Sequence, residues 1–143
     1  MSSQRGFSLI EALIALVVLS IGLIGVAAMQ LKALQSANAG YQRSLASVAA
    51  VDAQERLWAQ LVTLNPGETC ENIDSSAVEE GWKDDWFTDN DQNPLRNAKK
   101  DESSIGRDNG EDKCRFTVVL VLGDDENDRF DYTFRLPRLE VQQ

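Results

Sequence analysis

Histidine is absent from this 143-residue chain, and that narrows its chemistry at once. Imidazole acid–base catalysis, Ser-His triads and His-ligated metals are all excluded. Carboxylates are plentiful, 23 against 14 basic side chains, but most lie in polar, turn-like runs where a solvated loop is the default. Asp89-Asn90-Asp91-Gln92-Asn93 begins like a calcium-binding loop. Pro94 then stands where an EF-hand needs Gly, and Lys100 where it needs Glu, so that motif is rejected. The Asp124–Asp128 turn offers at most a weak oxygen-ligated ion, and no metal or other cofactor is expected. Trp58, Trp82 and Trp86 could make an adhesive or sugar-binding surface; the reading preferred is that they fill the gap between a helix and a sheet. One carboxylate stands apart from the rest.

That carboxylate is Glu11. It opens a run of twenty residues without a charge, Ala12 to Leu31. As a helix rising 1.5 Å per residue, the run spans about 30 Å, the thickness of a bilayer's hydrocarbon core. A charged carboxylate at bilayer depth costs up to about 3 kcal/mol, so one kept there is functional by default. Ahead of it stand the polar Met1-Ser2-Ser3-Gln4-Arg5 and then Gly6. An ordinary secretory signal is the competing reading, and Ala37-Asn38-Ala39 even supplies an A-x-A pattern. The apolar run, however, exceeds the usual h-region and carries Glu11 at its entry.

The block Gly6-Phe7-Ser8-Leu9-Ile10-Glu11, followed by the apolar run, resembles the N-terminus of type IV prepilins and pseudopilins. The resemblance implies removal of residues 1–6 by an inner-membrane peptidase that cuts between Gly6 and Phe7. It implies N-methylation of Phe7, and a Glu at the fifth mature position, here Glu11. In that family the Glu attracts the N-terminal amine of a neighbouring subunit and sets register in the filament. Major pilins usually carry a helix-interrupting Pro in this run, whereas the first Pro here is Pro66. Ser20-Ile21-Gly22-Leu23-Ile24-Gly25 and Met29-Gln30-Leu31-Lys32-Ala33-Leu34-Gln35 are similar to the minor pilins known as type IV pilus modification proteins. The close likeness covers about residues 7–60.

The elements that must position these residues follow from periodicity. Leu31, Leu34, Tyr41, Leu45, Val48, Leu57 or Trp58, Leu61 and Leu64 recur at steps of three, four and seven, with good helix formers between them. The first clear stop is Asn65-Pro66-Gly67. One helix is therefore expected from about Phe7 to about Leu64. Gly22 and Gly25 fit either close helix packing in a membrane or local flexibility in a filament. Beyond Gly67, Glu68 to Ile73 reads as a connector and Ser75 to Trp86 as one or two helical turns. Thr88 to Lys113 reads as a surface loop. Arg115 to Leu122 is β-branched and apolar. Arg129 to Leu136 alternates, with Phe130, Tyr132, Phe134 and Leu136 on one face, so the two segments form an antiparallel hairpin.

The cysteines, Cys70 and Cys114, both follow the apolar segment. In a periplasmic domain an even pair is expected to form a disulfide, the alternative being two buried free thiols. The charge is uneven as well. Residues 1–67 carry four basic and three acidic side chains, residues 68–143 ten and twenty. Such an acidic outer part repels phosphate backbones and argues against nucleic acid as a partner.

These expectations combine into an α+β, pilin-like chain. Residues 1–6 are the leader, 7–30 the membrane-spanning or filament-core half of the helix, 31–64 its amphipathic half, and 65–143 a small acidic domain containing the sheet. The function implied is that of a non-enzymatic minor pilin that helps prime a type IV pilus, near its tip, in support of adhesion and twitching motility. Its partners would be other minor and major pilins, the prepilin peptidase and the inner membrane, with the C-terminal domain periplasmic and later on the cell surface. A type II secretion pseudopilin and a membrane-tethered periplasmic binding module or adhesin are the alternatives.

Overall fold

A computed structural model describes residues 8–88, 93, 95, 98–108 and 110–139. The proposed leader and the Gly6–Phe7 junction lie outside them. So does most of the Asp89–Asn93 stretch, of which only Asn93 is described. The chain divides into two compact units, Met1–Gly40 and Tyr41–Gln143.

A single helix, α1 (Leu9–Val62), enters both units. It begins where the Ser8 carbonyl accepts the Glu11 and Ala12 amides at 2.9 and 3.3 Å. It runs unbroken through Gly22, Gly25 and Gly40 and ends two residues short of the expected Leu64. Gly67 then takes φ +88°, the left-handed region that glycine enters without a Cβ penalty. The Glu68 carboxylate accepts the freed Asn65 amide at 2.8 Å and closes the turn.

The buried face of the 41–62 segment is not the predicted stripe of large side chains. It is Ala46, Ala49, Ala50, Ala53, Leu57 and Leu61, all essentially inaccessible. Their spacing is that of one helical face. Of the expected stripe, Leu57 and Leu61 are buried and Leu45, Trp58 and Leu64 are partly buried. Tyr41 and Val48 are each 55% exposed, and Leu31 and Leu34 are exposed as well. Alanine wins these positions because a short side chain lets a neighbour approach the helix backbone. The Trp82 indole N–H does so, donating to the Ala49 carbonyl at 2.8 Å.

Trp82 belongs to α2 (Ser75–Phe87), thirteen residues rather than one or two turns. Asp74 caps it, its carboxylate accepting the Ser76 and Ala77 amides. Trp82 and Phe87 are buried edge to face at 5.4 Å. A polar seam joins α2 to α1. Asp52 accepts from Arg56 Nε and from Trp86 Nε1, each at 2.8 Å, and Arg56 also donates to Asp85 at 2.6 Å. Burial opposes the charge on Arg56, but the bonds to Asp85 and Asp52 outweigh it and hold the guanidinium above its ordinary pKa.

Among the described residues the sheet has three antiparallel strands in the order β1 (Ser104–Arg107), β2 (Arg115–Val121), β3 (Arg129–Arg135). The β2–β3 hairpin matches the sequence expectation; β1 does not, because it lies in the segment read as surface loop. That segment also buries Leu95, Ser103 and Ile105. The Ser103 hydroxyl donates to the Lys99 carbonyl and accepts the Val121 amide, so a buried polar residue locks the strand end. Across the ladder Ile105 faces Val118 and Phe116 faces Phe134. The core is Ile105, Phe116, Val118, Leu120 and Leu136 from this region together with the alanine face and the α2 aromatics.

Candidate functional site

The first unit contributes a helix surface and little else. Between residues 8 and 40 nothing is buried, and Leu9, Ile10, Ile14, Val18, Ile24 and Met29 all expose more than half their area. Ser20, one of two hydrogen-bonding side chains in the uncharged run, turns its hydroxyl back onto the Leu16 carbonyl at 2.7 Å. Bonded that way, it presents little unsatisfied polarity to an apolar medium. The helix is long and apolar enough to cross a membrane. Glu11 sits in its first turn, exposed. Unpaired first-turn amides give that end a positive partial charge, which favours a carboxylate there. A cation brought to this end would meet an accessible anion at the edge of the apolar surface.

Residues 1–27 match the model of the prokaryotic N-terminal methylation motif. The chain has the N-terminus of a type IV pilin-like prepilin. The match spans Gly6, Phe7, Glu11 and most of the uncharged run. It implies a structural subunit that meets other pilins and a prepilin peptidase, and the apolar helix accords with an inner-membrane anchor. No curated protein matches the chain. No solved structure matches it either.

In the second unit the structure brings Cys70 and Cys114 together as a disulfide with Cα atoms 5.3 Å apart, both residues fully buried. Cys70 opens a 3-10 turn, Cys70–Asn72, after the helix stop, and Cys114 precedes β2. The bridge ties the end of the helical segment to the sheet.

Sequence reasoning missed the residue that surrounds this bridge with hydrogen bonds. Arg107, at the end of β1, donates to the carbonyls of Cys70 (3.1 Å), Glu71 (3.2 Å), Ile73 (2.9 Å) and Lys113. Its guanidinium also lies 4.8 Å above the Phe116 ring. A planar fork with five donors suits this converging set of carbonyls, where a lysine would not. Nothing in Ser-Ile-Gly-Arg-Asp marks the arginine in advance, since its acceptors are main-chain atoms brought in by the bridge.

The remaining candidates resolve into structural roles. Asn93 braces the segment after α2, donating to the Asp85 carbonyl in the helix's last turn and accepting the Leu95 amide. Trp58, Trp82 and Trp86 lie in or against the core. In the Asp124–Asp128 turn, Asp124 binds Lys99 at 2.6 Å, and Asp128 folds over Gly123 where a Cβ would collide with it. Among the described residues no group of three or more His, Cys, Asp or Glu is gathered for a metal.

Proposed function

We propose that this prepilin is a minor pilin, a non-enzymatic subunit that joins other pilins through α1 to prime a type IV pilus, near its tip. Adhesion and twitching motility follow from the filament it helps to start. Residues 1–6 are the leader, removed between Gly6 and Phe7, and Phe7 is then methylated. Residues 7–30 anchor the chain in the inner membrane before assembly and in the filament afterwards. The domain of residues 65–143 is periplasmic and then surface-borne.

The observation that carries this reading is Glu11, one exposed carboxylate in the first helical turn before twenty uncharged residues. Its cost in an apolar medium is offset when a positive partner arrives, and the amine of a neighbouring subunit's Phe7 is that partner. The likeness of the Ile21–Leu34 block favours the pilus over a secretion system.

The test is Glu11→Gln, expressed in a deletion strain. Membrane level should match the wild type, because a neutral amide is easier to bury than a carboxylate, and leader removal should persist, because the cut depends mainly on Gly6. The amount recovered in sheared pili should fall, and pili should become fewer. Equal membrane and pilus levels would remove Glu11 from assembly. N-terminal mass spectrometry on the same samples checks processing, and retention of Met1 or cleavage after Ala39 would overturn the prepilin reading.

A further inference from the structure

The two edges of the sheet are treated differently. In the β2–β3 ladder the Leu122 amide bonds to the Asp128 carbonyl and the Leu136 amide to that of Cys114, and the register pairs residues whose numbers share that parity. Even-numbered residues of β3 therefore spend their main-chain groups on β2. The N–H and C=O groups of Arg129, Asp131, Thr133 and Arg135 point outward. Among the described residues none of these groups has a hydrogen-bond partner. On the opposite edge, the outward amide of Ile105 in β1 is capped by the Glu79 carboxylate at 2.8 Å. One edge is closed by a side chain; the other is an open template of seven residues.

Charges on an edge usually protect it, and β3 carries three. They alternate in sign, so whether they protect depends on register. Consider a second β3 laid antiparallel alongside the first. A register that pairs Asp131 with Asp131, or Arg129 with Arg135, sets like charges opposite each other. A register centred on Thr133 does the reverse. Each Asp131, held within its own chain by Arg129 at 2.9 Å, then faces the other copy's Arg135, itself held by Asp112 at 2.8 Å, so the unlike charges alternate across the seam, and Thr133 faces Thr133. On the other face of the sheet Tyr132 meets Phe134. All three aromatics of β3 are only half-buried as the chain stands. The same pair types already hold the hairpin together, where the Thr117 and Thr133 hydroxyls bond at 2.9 Å and Phe116 stacks on Phe134 at 6.0 Å.

We infer that β3 is a homotypic docking edge, joining two copies of this chain into one continuous antiparallel sheet centred on Thr133. Such a pairing is a closed two-fold contact, and it reverses every direction in the plane of the sheet. It closes on two copies and leaves no second β3 edge to continue the sheet. The inference does not depend on the pilin reading.

The test uses the full chain in detergent. Thr133→Cys places two thiols across the proposed axis, and mild oxidation should give a disulfide-linked dimer. Ser47→Cys, exposed on α1, should give little. On the Thr133→Cys background, Arg135→Asp sets two pairs of aspartates opposite each other and should lower the cross-linked fraction roughly tenfold. Adding Asp131→Arg restores unlike pairs and should restore the yield. Separately, Thr133→Pro removes the outward N–H and the hydroxyl contact with Thr117 but no main-chain bond of the β2–β3 ladder. It should abolish sedimentation as a dimer with little change in thermal midpoint. Equal cross-linking of the Ser47→Cys and Thr133→Cys variants, or no rescue by the double charge swap, would overturn the proposal. If the proline variant melts early, the charge-swap pair alone decides.

Discussion

The two halves of α1 use apolar residues in opposite ways. From Leu9 to Gly40 the large side chains are on the outside and nothing is beneath them. From Tyr41 to Val62 the inside belongs to four alanines and two leucines, while Tyr41, Val48, Val51 and Val62 remain exposed. The first half has a surface built to be covered by something other than its own domain. The second half has a core face cut back to Cβ so that other elements can come close. Hydrophobicity alone does not separate them. What separates them is where volume sits relative to the helix axis.

The largest expected effect comes from removing what only the second region has. Cys114→Ser opens a loop with a sequence separation of 44 residues. The chain-entropy model puts the loss at about 4 kcal/mol. The thermal midpoint of the folded domain should drop by more than about 10 °C, and protease sensitivity should rise there. Two free thiols in oxidised, denatured wild-type protein would contradict the bridge.

The next effect puts the same substitution into both halves. Ala53→Leu forces a larger, branched side chain into a fully buried site and should cost about 1–3 kcal/mol. Ala28→Leu, on the exposed half, should change the domain's stability by less than about 0.5 kcal/mol. Near-UV circular dichroism of the tryptophans, followed through melting, measures both. Equal shifts would erase the distinction between the halves. A related substitution, Arg107→Lys, keeps the charge and loses the fork across four carbonyls, and should cost about 2 kcal/mol. The wild-type midpoint in that variant would reduce Arg107 to a surface ornament.

How much of this is legible in the sequence depends on signal length. The apolar run, the helix stop near Pro66, the β2–β3 hairpin and the eligible cysteine pair all rest on patterns of several residues, or on a residue type used twice. The alanine face escapes because a search for large apolar residues passes over alanine, although Ala46, Ala49, Ala50 and Ala53 hold helical spacing. Strand β1 escapes because four residues, Ser-Ile-Gly-Arg, carry one apolar side chain. Its place in the sheet is decided by pairing with β2, a tertiary fact. Leu95 and Ser103 are missed for the same reason. Helix α2 is underestimated because its apolar pattern is weak, and the signal that starts it is the cap, Asp74 ahead of Ser-Ser-Ala.

The smallest effect probes the charged turn of the second region. Lys99 bonds Asp124 and Glu102 from a half-buried position. The bond from Lys99 holds the Asp124 carboxyl below its ordinary value of 3.8, and the bond to Asp124, helped by Glu102, holds Lys99 above 10.5. A depressed carboxylate contributes stability that is present above 3.8 and lost as pH falls through the lower folded value. A raised lysine contributes stability that is present below 10.5 and lost as pH rises through the higher one. The pair is therefore constant through neutral pH and fades at both extremes. Lys99→Met should lower the midpoint by about a degree or two at pH 7 and low salt. The gap to wild type should close in high salt, and again in acid once Asp124 is protonated. The main-chain bond from Lys99 to Val121 survives the substitution and should not respond to either condition. A deficit that persists in acid and salt would mean that the lysine stem, and not its charge, supports the turn.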